Sequence, residues 1–114
     1  MNLRTRQDGD IEVVEMEGSL DGKTAPEVRE QLRPVLARAQ KLILDMTRVD
    51  YLSSAGLRLL LLTYREVTAA RGKVVLLGVS REIQTVMSHT GFLSFFTLSD
   101  SLEKAQLALA LTET

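Results

Sequence analysis

The sequence predicts an α/β fold: a mixed, mostly parallel β-sheet that opens with an N-terminal hairpin and carries about four helices. Three observations predict it. An Asp-Gly turn in "DGD" (residues 8–10) separates two segments that alternate polar and apolar residues, as in a β-hairpin. Two short apolar runs, "KLILDMT" and "KVVLLGV", read as buried strands. Segments with apolar residues three and four apart alternate with these runs, which requires right-handed crossovers and parallel pairing. The expected order is β-β-α-β-α-β-α-β-α. No linker, repeat or low-complexity segment interrupts it, so one domain over residues 1–114 is expected.

The elements follow in order. "NLRTRQ" alternates weakly, and in "IEVVEMEG" Ile11, Val13 and, less strictly, Met16 are apolar with acids between them. "LDGK" turns the chain. Thr24 is placed to cap a helix, Pro26 suits its first turn, and Glu27 completes a capping box. Val28, Leu32, Val35, Leu36 and Ala39 continue at helical spacing. Pro34 falls inside that helix, where proline costs about 3 kcal/mol, so a kink or a shortened helix is expected. "KLILDMT" is the next strand, and "RVDYL" is read as a loop. From Ser54 to about Arg71 the pattern is helical, with Leu57, Leu60, Leu61, Tyr64 and Val67 on one face and Gly72 as the stop. "KVVLLGV" follows. Ser80 caps a helix over "REIQTVMSHT" that Gly91 ends, and "FFTL" is a last short strand. Asp100 or Ser101 starts the final helix, "LEKAQLALAL", with Leu102, Ala105, Ala108 and Leu109 on its apolar side.

Composition narrows the function. Hydrophobic residues make up 45% of the 114, enough for a core without staples. The chain has no Cys, which excludes disulfides and thiolate metal sites. The formal net charge is -1 and no basic arm stands out, so there is no electrostatic case for nucleic acid. Aromatic residues are 4% with no Trp, which argues against a base-stacking surface. The N-terminal residues lack a signal-peptide apolar region, and no apolar run approaches a membrane span. A cytoplasmic protein without direct membrane insertion is expected, and nothing demands more than a monomer.

The case for an enzyme is thin. The one histidine, His89, lies at an expected helix end, where it suits the last carbonyls. A serine hydrolase wants the elbow G-x-S-x-G, and "YLSSAG" has no Gly two residues before Ser54. Neither GxxxxGK[ST] nor GxGxxG occurs, so no phosphate cradle is written, and no metal-ligand spacing is present. No cofactor or metal is expected.

What remains is "SSAG". A serine before a helix satisfies an orphan N–H, and a cap explains either serine taken alone. Yet two serines stand where one cap suffices, and Ala55 and Gly56 are small enough to leave backbone open to a close partner. The pair also follows a parallel strand, at the end where α/β proteins place their sites. A phosphate there would add about -1.5 to -2 charges beside a helix N-terminus.

With these residues in view, the chain resembles the STAS domain family, and within it the bacterial anti-sigma factor antagonists. "GSLDGKTAPEVREQL" is similar to the family's G-x-[LI]-D-x-x-[TN]-A stretch. "LILDMTRVDYLSSAGLRLLL" is similar to its strand, loop and switch helix with the core D-S-[ST]-G-L, and "VVLLGVSREIQTVMSHTGFLSFFTL" to its later strand and Gly-ended helix. The resemblance implies a binding module, not a catalyst. It implies a serine-kinase anti-sigma factor of the GHKL type as partner, bound by the unphosphorylated form, and a PP2C-type phosphatase that reverses phosphorylation. Aligned on Gly56-Leu57, the family's phosphoserine falls on Ser54, with Ser53 as second choice where Asp is often found. The match places partner contacts at Asp21, Thr24, Ser53, Ser54, Ala55 and Gly56. Arg58, where the family often has Gly, joins them by position, one helical turn beyond Ser54. Asp21 reads equally as a contact to the kinase or as a turn residue. Arg58 reads as a partner for phosphate, for a carboxylate on another protein, or for solvent. The alternative function is a STAS subunit of a lipid or anion transport system, docking through the same helix without a phosphate cycle.

Overall fold

A computed structural model describes residues 1–110. The order of its elements is the expected one. β1 (Asn2–Asp8) and β2 (Ile11–Leu20) form the hairpin, followed by α1 (Ala25–Arg38), β3 (Lys41–Leu52), α2 (Ser54–Ala69), β4 (Lys73–Leu77), α3 (Arg81–His89), a 3-10 turn (Leu93–Phe95), β5 (Thr97–Ser99) and α4 (Leu102–Ala110). The five strands lie side by side in chain order. β1 is antiparallel to β2, and every later pairing is parallel. Strands laid down in one direction with right-handed crossovers must drop every crossover helix on the same face. Accordingly, Val28, Leu32, Leu60, Ile83 and Met87 of α1, α2 and α3 share one core with Val14, Leu44 and Leu76. α4 follows the last strand and covers the other face, where Ala105 and Leu109 pack on Ile11, Val13, Ile43 and Val75.

Several local expectations are corrected. "RVDYL" is not a loop but the outer half of β3, which pairs with β2 through Leu52 while β4 stops opposite Asp45. α1 is not shortened by Pro34: it runs unbroken for 14 residues. Pro34 and Glu30, whose carbonyl loses its N–H partner, are both exposed, so water can satisfy that carbonyl. The residue in the left-handed conformation after α2 is Arg71 (φ 63°), not Gly72. Arg71 N donates to Thr68 O and Gly72 N to Val67 O, a Schellman ending with arginine in glycine's usual place. Gly72 is needed for space, because a Cβ there would lie 2.7 Å from the Gln40 carbonyl oxygen. α3 ends as expected, with Gly91 at φ 79°. The last strand starts later than "FFTL", which is shared between the 3-10 turn and β5. Ser101, not Asp100, caps α4, accepting from Lys104 N at 3.2 Å. The expected final helix includes Leu111, which lies outside the described residues.

The acids of β2 are not all solvent-facing. Glu12 is buried, only 3% exposed. Its carboxylate accepts from Arg38 Nε at 2.7 Å and Gln7 Nε2 at 3.0 Å, joining the hairpin to the end of α1. The Arg38 guanidinium lowers the Glu12 pKa below its ordinary value, against the opposing effect of burial.

Candidate functional site

Each helix follows a strand that runs the same way, so all four helices start at one pole of the sheet, at the strands' carboxyl ends. The strand order never reverses, so this pole lacks the crevice that opens at a switch point. Neighbouring connections lie side by side there instead. The β2–α1 loop and the β3–α2 turn form such a pair. Ser53 N donates to Leu20 O at 3.0 Å, tying the second connection to the root of the first.

Asp21 organises the β2–α1 loop. Its carboxylate accepts from Lys23 N at 2.9 Å and Thr24 N at 3.0 Å, and its carbonyl accepts from Ala25 N. These are the contacts of an N-cap, set one turn ahead of α1. The Thr24 and Lys23 N–H groups hold the Asp21 carboxyl below its ordinary pKa. Thr24 makes no side-chain cap of its own, which corrects the capping-box expectation. Its hydroxyl donates to Ser19 O at 2.7 Å and accepts from Asp21 N at 3.0 Å, so Thr24 braces the loop from inside.

The two serines have different jobs. Ser53 is the N-cap of α2: its backbone is extended (φ -91°, ψ 175°) and its Oγ accepts from Gly56 N at 3.2 Å. Ser54 is the first helical residue. It is exposed, and among the described residues its hydroxyl has no hydrogen-bond partner. Gly56 is buried, which corrects the view that its small size leaves backbone open to another protein. A Cβ on it would stand 2.9 Å from both the Leu20 carbonyl carbon and Leu52 Cδ1, and closer still to the Leu20 carbonyl oxygen. Glycine at this position lets α2 start directly against the end of β2. Ala55 is half-buried, and a Cβ on Gly22 would sit 3.9 Å from the Ala55 methyl, which places the β2–α1 loop beside it.

α2 also differs from its neighbours in charge. α1, α3 and α4 each carry an acid in the first turn (Glu27, Glu82 and Glu103), which complements the partial positive charge of a helix N-terminus. α2 carries none. Its exposed side holds Arg58 and Arg65, neither of which forms an ion pair among the described residues, and Glu66, which pairs with Arg29 of α1 at 2.8 Å. Two exposed apolar side chains, one on β3 and one on α2, escaped sequence reasoning. Tyr51, at the outer end of β3, is 55% exposed, and Leu62 of α2 is 36% exposed. Leu62 lies four residues beyond Arg58, so the i, i+4 row Ser54–Arg58–Leu62 was legible in the spacing. Tyr51 has no such signal, because "RVDYL" reads as a loop.

Among the described residues, the site holds a hydroxyl and a guanidinium without side-chain partners, with the exposed Leu62 one helical turn beyond Arg58. His89 lies in the last turn of α3, and no hydrogen bond joins it to either serine. A groove of about 410 Å³ opens on the opposite face of the sheet, between Arg4, Glu15, Asp45 and Arg48. Two of its acids are paired: Glu17 lies 3.9 Å from Arg48 of the same groove, and Glu15 lies 3.9 Å from Arg6 beside it. Among the described residues no cluster of His, Cys, Asp or Glu could hold a metal ion, and no helix is long and apolar enough to cross a membrane.

Residues 2–105 match the family model described as STAS domain. Over 94 residues the chain is 31% identical to BtrV of Bordetella bronchiseptica, covering 82% of this chain and 81% of that protein, whose name provisionally assigns it as an anti-sigma factor antagonist. The backbone is similar to that of the Bacillus cell fate determinant SpoIIAA, solved in its phosphorylated form: TM-score 0.72, 19% identity, 94% of this chain and 99% of that one. It is also similar to a sulfate transporter family protein from Wolinella succinogenes: TM-score 0.76, 22% identity, 90% of this chain and 86% of that one. At those identities the likeness is one of fold.

Proposed function

This chain belongs to the STAS domain family, and on that premise we propose that it is an anti-sigma factor antagonist switched by phosphorylation of Ser54. The unphosphorylated chain binds a serine-kinase anti-sigma factor of the GHKL type. That kinase moves the γ-phosphoryl group of ATP to Ser54: the Oγ–P bond forms, the hydroxyl proton is lost and ADP leaves. The phosphorylated chain is released, and a PP2C-type phosphatase hydrolyses the ester. The contact surface runs from Asp21 and Lys23 over Ser54 and Ala55 to Arg58, with Leu62 as its apolar part. Ser53, Thr24 and Gly56 act behind it by fixing the two connections.

The observation that carries the reading is the division between the serines. The Ser53 hydroxyl is engaged as a helix cap, whereas Ser54 is exposed with an unpartnered hydroxyl. A dianion on Ser54 enters the first turn of α2, which, unlike those of α1, α3 and α4, has no acidic side chain, so the domain tolerates it. A protein packed closely on Ala55 does not tolerate it, because the charge repels and must be desolvated.

The test uses the purified chain, the GHKL kinase encoded nearest to it, and ATP. Phosphopeptide mapping is expected to find phosphate on Ser54, and calorimetry to find binding by the unmodified chain only. Phosphate on Ser53 alone, or on neither serine, refutes the assignment. A Ser54→Asp chain that binds as tightly as the parent refutes the switch. The similarity to a transporter-family protein favours one other reading, docking without phosphate. Stoichiometric binding to a permease, with no transfer from any kinase, establishes that reading instead.

A further inference from the structure

We infer that Arg58 is the internal counter-ion of a phosphate carried by Ser54, so that phosphorylation withdraws this cation from the contact surface while adding negative charge to it. The inference rests on the reading of Ser54 as phosphoacceptor and adds how the modified state is built.

Spacing is the first support. Residues four apart on a helix stand one above the other, with Cβ atoms about 5–6 Å apart, and an anion placed N-terminal to its cation is the favourable order. Ser54 and Arg58 have that spacing and order inside α2. Availability is the second. The arginines of α1 are committed: Arg29 to Glu66, Arg33 to Glu30 and Arg38 to Glu12. Arg58 is exposed and, among the described residues, has no ion-pair partner. Chemistry is the third, because a guanidinium presents paired N–H donors that match two phosphate oxygens.

Two other cations could answer the same phosphate. Lys23 sits in the loop whose Gly22 lies beside Ala55, and Arg65 lies further along α2. Arg65 is eleven residues from Ser54, three turns away, and out of reach. Lys23 is a compact charge on a flexible stem and cannot bind two oxygens in a fork.

Without phosphate, Arg58 is free to meet a carboxylate of the partner. With phosphate, the guanidinium folds back along its own helix, and that carboxylate loses its cation as well as facing a dianion.

The experiment does not require the kinase. Phosphoserine is installed at position 54 during translation, and the phosphorus-31 shift is followed against pH in the full chain and in Arg58→Gln, Lys23→Gln and Arg65→Gln variants. An adjacent cation favours the dianion, so the second ionisation, near pH 6 in a free phosphoserine, is expected about 0.2–0.4 pH unit lower in the parent than in Arg58→Gln. Lys23→Gln and Arg65→Gln are expected to match the parent. Equal values for parent and Arg58→Gln, or a larger change in either control, overturn the inference. Failure here with kinase-labelled Ser54 leaves the proposed function standing. Success here with a kinase that ignores Ser54 removes the function and keeps the ion pair.

Discussion

Replacing Gly56 with alanine tests the geometry on which the site rests. In a helix interior Gly→Ala gains about 1 kcal/mol. Here the added methyl would stand 2.9 Å from the Leu20 carbonyl carbon and from Leu52 Cδ1. Carbon pairs prefer about 3.5–4.0 Å, so α2 or the end of β2 must shift by roughly 1 Å. Leu20 and Leu52 are buried, at 0% and 4% exposure, so neither moves without disturbing the core. Overpacking of this kind costs about 1–3 kcal/mol. The same shift stretches the Ser53 N to Leu20 O bond, and a backbone bond is worth about 1 kcal/mol. Set against the helix gain, Gly56→Ala is expected to lose about 1–3 kcal/mol. Equilibrium urea unfolding reads this as a lower midpoint at unchanged slope. Gly22→Ala is the control: its methyl would find only an ordinary 3.9 Å contact, and its φ is not positive. It is expected to be neutral or to gain up to about 1 kcal/mol. A Gly56→Ala chain as stable as the parent would falsify the close approach, and with it the claim that β2 fixes where Ser54 sits.

Three further outcomes follow from features of the same fold. Ser53→Ala is expected to cost about 1 kcal/mol through loss of the cap, whereas Ser54→Ala stays within about 0.5 kcal/mol, as urea midpoints will show. Equal losses for the two contradict the assigned roles. Arg71→Gly relieves the left-handed backbone at φ 63° and is expected to gain about 1 kcal/mol, read as a higher melting temperature; a loss refutes the strain. Glu12→Gln keeps the volume but loses the charge-assisted bond from Arg38, at a cost of about 1.5–3 kcal/mol at neutral pH. Because the folded pKa of Glu12 lies below its unfolded value, this stability is present above the unfolded value and is lost as pH falls through the folded one. The difference between parent and Glu12→Gln is therefore expected to shrink below about pH 4.5, and a constant difference from pH 7 to pH 3 contradicts it.

The fold was legible because its signals are local. The Asp-Gly turn, the two apolar runs and the Ser80 and Gly91 boundaries each declare themselves within a few residues. What sequence reading missed depends on distant neighbours. "RVDYL" reads as loop because Arg48, Asp50 and Tyr51 are exposed there. They are exposed because this half of β3 extends past β4 and pairs on one side only, through two register shifts that break the alternation. Glu12 looks like the other acids of β2 until Arg38, 26 residues later, arrives beside it. At the site, the position of the serine pair was readable from spacing, but the assignment of cap to Ser53 needed the bond to Gly56 N. Gly56 looked like an opening toward a partner, since nothing in the sequence shows that Leu20 fills the space where a side chain would go.

The bracing of residues 21–24 has a kinetic meaning. Asp21 and Thr24 close that loop on itself, and Leu20 O holds Ser53 at its flank. Ordering backbone costs about 1–2 kcal/mol per residue, and for these connections that cost is met when the chain folds. A protein that docks on this pole therefore meets a surface already in its bound shape and freezes little of it on arrival. Encounter then proceeds as between two rigid bodies, at a rate set by diffusion, orientation and charge. Under the proposed switch, the time the two stay together is then set by whether Ser54 carries phosphate.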